Sequence, residues 1–281
     1  MVDVLSDAVT TMRVGRPHSR RTFFTAPWST RFAPMDGAGF HVVLAGSCRL
    51  MPEGGEPLRL STGDIVFLPR EPGHALTDDG GSAITELLCG AYVLDRCRAH
   101  PLLGDLPDII HLPAHVGRHA RLRTAVDLLG AELAEPGPGS SASVSALLDL
   151  LLLYMLRSWF AERRAQGATG WPAALADPAV SAALRAMHAE PAAPWTVRSL
   201  GERAGLSRTS LAERFAALVG RPPVAYLTWW RMTLAARYLK EGGAPLASVA
   251  RRCGYSSEFA FAKTFKREFG VSPGVFRKRS D

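Results

Sequence analysis

Between Leu200 and Phe276 the chain writes one pattern of apolar residues, glycines and prolines twice, about fifty positions apart. The first copy runs Leu200, Ala204, Gly205, Leu206, Ser207, Leu211, Phe215, Gly220, Pro223, Tyr226, and the second Val249, Cys253, Gly254, Tyr255, Ser256, Phe261, Phe265, Gly270, Pro273, Phe276. Leu211/Phe261, Phe215/Phe265, Gly220/Gly270, Pro223/Pro273 and Tyr226/Phe276 are 50 apart, whereas Leu200/Val249, Ala204/Cys253 and Gly205/Gly254 are 49 apart. The one-residue difference falls in the turn, where an insertion disturbs least. Each copy reads as a short helix, a glycine-bearing turn and a second helix. Two copies cannot make a solenoid, so the pattern predicts a paired helix-turn-helix module.

Charge follows the repeat. The chain has 281 residues and a net charge of +7. Residues 173–281 hold 17 Lys and Arg against 8 Asp and Glu, and residues 1–172 hold 16 against 18. A basic half beside a faintly acidic one is expected when the basic half sits on a polyanion, because neutralising phosphates supplies most non-specific affinity for nucleic acid. The greasiest stretch, Leu147 to Met155, is shorter than a membrane span and contains Asp149. The N-terminus lacks a basic start followed by an apolar run. These features predict a cytoplasmic protein without a membrane partner. The four cysteines, Cys48, Cys89, Cys97 and Cys253, have neither C-x-x-C spacing nor disulfide density and are expected as free thiols.

From Phe40 to about Leu94 short apolar runs alternate with Gly, Pro and Asp clusters, which predicts a small antiparallel barrel. After His119, Leu122, Val126, Leu129 and Leu133 recur on one helical face. A polar break covers Glu135–Ser143, and a second helix is expected from Val144 to Arg164. The segment Arg163 to Trp171 reads as a linker. Asp177-Pro178 has the form of an N-cap with proline in the first turn, Gly205 of a left-handed C-cap, and Ser207 of an N-cap. Pro222 and Pro223 open a longer helix through Lys240, whose Trp230, Leu234, Ala235 and Leu239 are placed to pack against both copies. The fold class expected is α+β: a barrel domain at 1–116, a helical hairpin at 117–172 suited to dimerisation, and an all-α double helix-turn-helix domain at 173–281.

Within the second copy, Phe261, Phe265 and Phe269 lie at i, i+4 and i+8 and form the inner stripe of one helix. The residues turned away from that stripe, Ser257, Glu258, Phe259, Ala262, Lys263 and Lys266, are the candidate DNA contacts. Arg208, Thr209, Ala212 and Glu213 are their counterparts in the first copy. A carboxylate can accept from cytosine N4, an apolar side chain can meet the thymine methyl, and Arg or Lys can read guanine or hold phosphate. Glu258, Phe259, Arg208 and Thr209 are the expected base readers. Ser256 or Ser257, at the helix start, is expected to cap and to touch phosphate.

The run from Ala250 to Arg277, with Gly254-Tyr255, Ser257-Glu258, Phe261, Lys263, Phe265-Lys266-Arg267, Gly270 and Ser272-Pro273, resembles the signature of AraC-type transcriptional regulators. The resemblance covers about residues 173–281. It implies two helix-turn-helix units on a linking helix, recognition helices in successive major grooves of double-stranded DNA, and activation through contact with RNA polymerase. Ala260 and Ala262 depart from the family pattern.

The stretch Gly63-Asp64-Ile65-Val66-Phe67-Leu68-Pro69-Arg70-Glu71-Pro72-Gly73-His74 resembles a cupin half-motif, and Phe40 to Gly46 the strand before it. With His100 to Pro113 it resembles the cupin-type sensor arm of one branch of the AraC family. Catalytic cupins need three or four clustered metal ligands. This chain has His41 and His74 without a His-x-His beside them, so no catalytic residue, metal ligand or cofactor is assigned. The tentative effector residues are His41, Cys48, His74, Cys89 and Cys97. Arg96 and Arg98 flank Cys97, and neighbouring cations favour a reactive thiolate. The function expected is a transcriptional activator controlled by a small molecule or by thiol oxidation. The alternative is a metal-dependent cupin enzyme with an accessory DNA-binding module.

Overall fold

The computed structural model describes residues 3–12, 15–94, 100–114 and 119–278, apart from the side chains of Met12 and Leu103. It forms two compact units, Met12–Gln166 and Met1–Thr11 with Gly167–Asp281. In chain order the first elements are α1 (Val4–Met12), β1 (His18–Thr25), β2 (Ser29–Phe32), β3 (Gly37–Ala45), β4 (Ser47–Pro52), β5 (Leu58–Ser61), β6 (Ile65–Leu68), β7 (His74–Thr77) and β8 (Ile84–Val93). There follow α2 (Pro101–Gly104), β9 (Ile110–Leu112), α3 (Ala120–Ala134) and α4 (Ser140–Ala165). The remaining helices are α5 (Trp171–Ala176), α6 (Pro178–Ala189), α7 (Val197–Ala204), α8 (Arg208–Val219), α9 (Pro223–Lys240), α10 (Leu246–Arg252), α11 (Glu258–Phe269) and α12 (Pro273–Lys278).

The strands make a five-stranded sheet ordered β1-β8-β3-β6-β9 and a four-stranded sheet ordered β2-β7-β4-β5, with antiparallel pairing throughout. Their inner faces share one apolar core of Val43, Cys48, Leu50, Leu60, Val66, Leu68, Leu76 and Leu87. The outer face of β3 and β8 is buried as well. Phe40 and Tyr92 meet there at 5.7 Å, and the Tyr92 hydroxyl donates to the Leu148 carbonyl of α4 at 2.8 Å. A strand covered on both sides needs apolar residues at consecutive positions, which is why β3 reads as a continuous run rather than an alternation.

The sequence reading began the strands at Phe40, and the structure adds β1 and β2 before it. Their polar text, HSRRTFFT and STRF, comes from half-exposed edge strands that bury little. Helix α4 starts at Ser140, inside the expected break, because Gly139 at φ 88° turns the chain directly into the helix. At 26 residues α4 is also longer than its apolar run suggested. Among the described residues it is the one helix long and apolar enough to cross a membrane by length and composition. Leu148, Leu151, Leu152, Met155, Leu156, Trp159 and Phe160 form its buried side.

In the other unit, Asp177 caps α6 by accepting from the Ala179 and Val180 amides at 3.0 and 2.9 Å. Thr196 and Ser199 close a reciprocal capping box at the start of α7. Helix α9 serves both halves of the repeat. Tyr226 meets Phe215 of α8 edge-on at 5.8 Å, while Met232, Ala235, Ala236 and Leu239 join Val249, Ala250, Cys253, Phe261 and Phe265 in a second core. Helix α1 belongs to this unit although it precedes the strands in sequence. Asp7 Oδ2 lies 3.0 Å from His188 Nδ1, His188 Nε2 lies 2.8 Å from the Tyr226 hydroxyl, and the Trp230 ring stacks on His188 at 4.1 Å.

Candidate nucleic-acid interface and barrel cavity

Each copy of the repeat presents a second helix with one face buried and the other in solvent. In α8, Leu211, Phe215 and Val219 are buried, Arg208, Thr209 and Glu213 are exposed, and Ala212 is half-buried. In α11, Phe261 and Phe265 are buried, Ser257, Glu258, Phe259, Lys263 and Lys266 are exposed, and Ala262 is half-buried. The predicted contact residues therefore share the outward face of each helix. Phe259, 79 % exposed, is the most exposed large apolar side chain among the described residues. A ring held in water at the start of a basic helix costs hydration free energy that contact with a base or a thymine methyl would recover.

Local chemistry aims these helices. Ser207 Oγ accepts from the Ser210 amide at 3.1 Å, and Ser257 Oγ accepts from the Ala260 amide at 3.4 Å, so both helices begin on serine caps. Ser257 acts through its oxygen at the helix start. Both turns require glycine: Gly205 has φ 70° and Gly254 φ 77°. At Gly254 a β-carbon would also sit 2.8 Å from the Ala192 carbonyl oxygen. That approach is held by Arg231 of α9, whose Nε and Nη2 donate to the carbonyls of Pro191 at 2.6 Å and Ala193 at 2.8 Å. Arg231 thus fastens the loop before α7 beside the turn of the second copy, a constraint that no sequence periodicity carries.

The barrel holds a second candidate site. Arg20 of β1, Cys89 of β8 and His41 of β3 occupy one row of the five-stranded sheet in direct register. Directly paired residues share a face, so all three line one cavity of about 370 Å³ with His18, Phe32, Ala33, Met35, Gly39, Glu71, Gly90 and Ala91. His74 enters from β7 of the opposite sheet. Its Nε2 lies 2.7 Å from His41 Nε2, and His41 Nδ1 lies 3.0 Å from Cys89 Sγ. Glu71 Oε1 is 3.0 Å from His74 Nδ1. Phe32 stacks on His74 at 4.8 Å.

Electrostatics in this cluster follow burial. Burial, then the adjacent His74, lowers His41 to about 3, so it stays neutral. Burial pushes the Cys89 thiol up to about 12 against the opposing pull of Arg20. Burial likewise pushes Cys48, within the apolar core, up to about 12, helped by Asp79 and Asp64. The structure thus brings His41, His74 and Cys89 together and leaves Cys48 in the core. Cys97 lies outside the described residues. Sequence reasoning missed Glu71 and Arg20. The cupin-like stretch contains Glu71, but only the left-handed turn at φ 40° directs it inward.

The two His Nε2 atoms face each other at hydrogen-bond distance. Two nitrogens sharing a tetrahedral zinc stand about 3.3 Å apart, from bond lengths near 2.05 Å. Cys89 lies on the far edge of the His41 ring, and no group of three His, Cys, Asp or Glu among the described residues could hold a metal ion.

Residues 3–161 match the family model described as cupin, and residues 200–279 match that described as helix-turn-helix domain. The chain is 36 % identical over 300 residues to an AraC-like transcription regulator of Streptomyces lividans, covering 99 % of this chain and 98 % of that one. It is 33 % identical to an AraC-like transcription regulator of Streptomyces antibioticus, with 99 % of each chain covered. It is 31 % identical over 242 residues to the RCS-specific transcriptional activator RclR of Escherichia coli K12, covering 85 % of this chain and 84 % of that one. With a cupin domain followed by a paired helix-turn-helix domain, the chain belongs to the AraC-like family of DNA-binding transcription regulators.

Proposed function

We propose that this protein is an activator that reads its operator with both copies of the repeat and is controlled by a small molecule in the barrel cavity. One observation carries the reading: α8 and α11 each bury an apolar stripe and turn a polar or basic face to solvent, within the half of the chain that holds the excess positive charge. Arg208 and Thr209 in the first copy, and Glu258 and Phe259 in the second, read base edges. Lys263 and Lys266 hold phosphate, Ser257 caps and touches phosphate, and Ala212, Ala262 and Glu213 shape the groove-facing surface. Activation proceeds by contact with RNA polymerase, in keeping with the relative whose name includes "activator". The protein works in the cytoplasm without a membrane partner, and two copies associate through the α3–α4 hairpin, where Leu128 is 52 % exposed.

The cavity supports a small-molecule effector, and burial disfavours oxidation of Cys48 and Cys89, while Cys97 lies outside the described residues. Burial pushes both thiols up, which disfavours the thiolate, and the thiolate is the reactive species. The enzyme alternative lacks support in the His41–His74 geometry. Selecting bound fragments from the source genome and footprinting the winners tests the reading. Protection of two sites on one face of the duplex, about one helical turn apart, is the expected result. Retention of fragments without a shared sequence would refute it.

A further inference from the structure

We infer that the barrel cavity binds a small primary amine, its ammonium group held by Glu71 Oε2 and its apolar body lying against Phe32 and Met35. The inference deepens the effector reading above and rests on it for the link to transcription, though not for the binding itself.

The argument starts from Glu71. It is 4 % exposed, and Oε2 has no hydrogen-bond partner. Leaving a buried carboxylate oxygen without a donor costs on the order of several kcal/mol, and such groups are normally satisfied. The conformation is also costly, because φ is 40° at a residue with a side chain. Its backbone is tied on both sides: the Glu71 amide donates to the Leu68 carbonyl at 3.4 Å, and the Glu71 carbonyl accepts from the Met35 amide at 3.3 Å. The missing side chain of Gly39 makes room for Oε2, since a β-carbon there would overlap it. Glu71 lines a cavity of about 370 Å³, at the small end of the range for small-molecule sites, with its Oε2 packed into the space left by Gly39.

The neighbouring groups narrow the ligand. His74 Nδ1 approaches Oε1 rather than Oε2, and without an aligned hydrogen bond. His41 is neutral and its two nitrogens already face His74 and Cys89. Among the buried lining groups the carboxylate is thus the one that calls for a cation. Arg20 and His18 line the cavity from exposed positions on β1, and the charge of Arg20 reaches Cys89 from there. Phe32, Ala33, Met35 and Ala91 give the remaining wall an apolar character. A metal ion is disfavoured by the His–His separation described above. A compact body carrying one ammonium group satisfies both the orphaned oxygen and the apolar wall.

The test is isothermal titration calorimetry on the full-length chain with primary amines from butylamine to 2-phenylethylamine, beside the matched alcohols and carboxylates. At least one amine is expected to bind tenfold or more tightly than its alcohol and its carboxylate. Glu71→Gln should bring that amine to the alcohol's level, with circular dichroism showing a folded chain. Gly39→Ala, which displaces the carboxylate without removing it, should weaken the amine in the same way. Preference for an alcohol or carboxylate, no binding by any amine, or amine binding indifferent to both variants overturns the inference. So does stoichiometric metal lost on His41→Gln. Adding the amine to an operator-binding assay separates the two readings. Amine binding that leaves operator affinity unchanged preserves the site and refutes effector control, whereas control by a matched carboxylate or alcohol preserves effector control and refutes the amine.

Discussion

Phe265→Ala should disable the second reading head while leaving the first intact. Phe265 is fully buried and is the centre of an aromatic cluster. It stacks on Phe269 at 4.3 Å, meets Phe276 edge-on at 5.3 Å and faces Phe261 at 5.8 Å. Truncating a buried Phe to Ala costs about 3–5 kcal/mol, and the lost aromatic pairs, each worth about 0.5–1.5 kcal/mol beyond area, place this site at the upper end. The core it leaves depends on Met232, Ala235, Ala236 and Leu239 of α9, whereas α8 is held by Leu211, Phe215 and Tyr226. A loss of about 5 kcal/mol rivals the whole stability of a small domain, so α10 and α11 should open locally while α7 and α8 persist. Urea melts of the full chain would read the lost stability, and hydrogen exchange would place it in residues 246–278. Operator affinity should fall at least a hundredfold, and a footprint should shrink to one half. Unchanged exchange in α11, or operator affinity within threefold of the wild type, would refute the assignment of this cluster as the support of the recognition helix.

Four other outcomes are expected. Lys266→Ala should weaken binding about equally on every sequence and lower the slope of log K against log salt by about 0.9, as loss of one phosphate contact requires. Glu258→Ala should instead change preference at one base position, by about 1–3 kcal/mol in a competition assay, with the salt slope unchanged. His41 is lowered to about 3 in the fold, so the unfolded chain binds a proton there that the folded chain refuses. Its contribution is complete above about pH 6.5 and is lost progressively as pH falls toward 3, at up to about 1.4 kcal/mol per pH unit. Urea melts of His41→Gln should show a flatter acid-side decline. Asp7→Ala removes one contact from the buried His188 and should cost about 1–3 kcal/mol, read as faster amide exchange across Val4–Met12.

The part of the molecule written in local chemistry was legible from the residues. The serine cap at 207, a serine cap at 256 or 257 that the structure places at Ser257, the left-handed Gly205, the Asp177-Pro178 start and the Phe261/Phe265 stripe all depend on backbone geometry within one or two turns. The repeat made them more secure, because two copies must satisfy the same geometry. The edge strands β1 and β2 and the early start of α4 were harder to read. Edge strands show weak alternation, and a helix entered from a left-handed glycine has no side-chain cap to announce it.

The two recognition helices and the faces they expose follow from i, i+4 spacing, which assigns a face before any packing is known. The side chains that fill the barrel are set by strand register and topology instead. Arg20, Cys89 and His41 are brought into one row by strand register, His74 arrives from the opposite sheet, and Glu71 is turned inward by a single left-handed residue. The same holds for Asp7 and His188, which are 181 positions apart in the chain and 3.0 Å apart in the fold. Contacts of that kind depend on register and topology rather than on periodicity, so no local pattern records them.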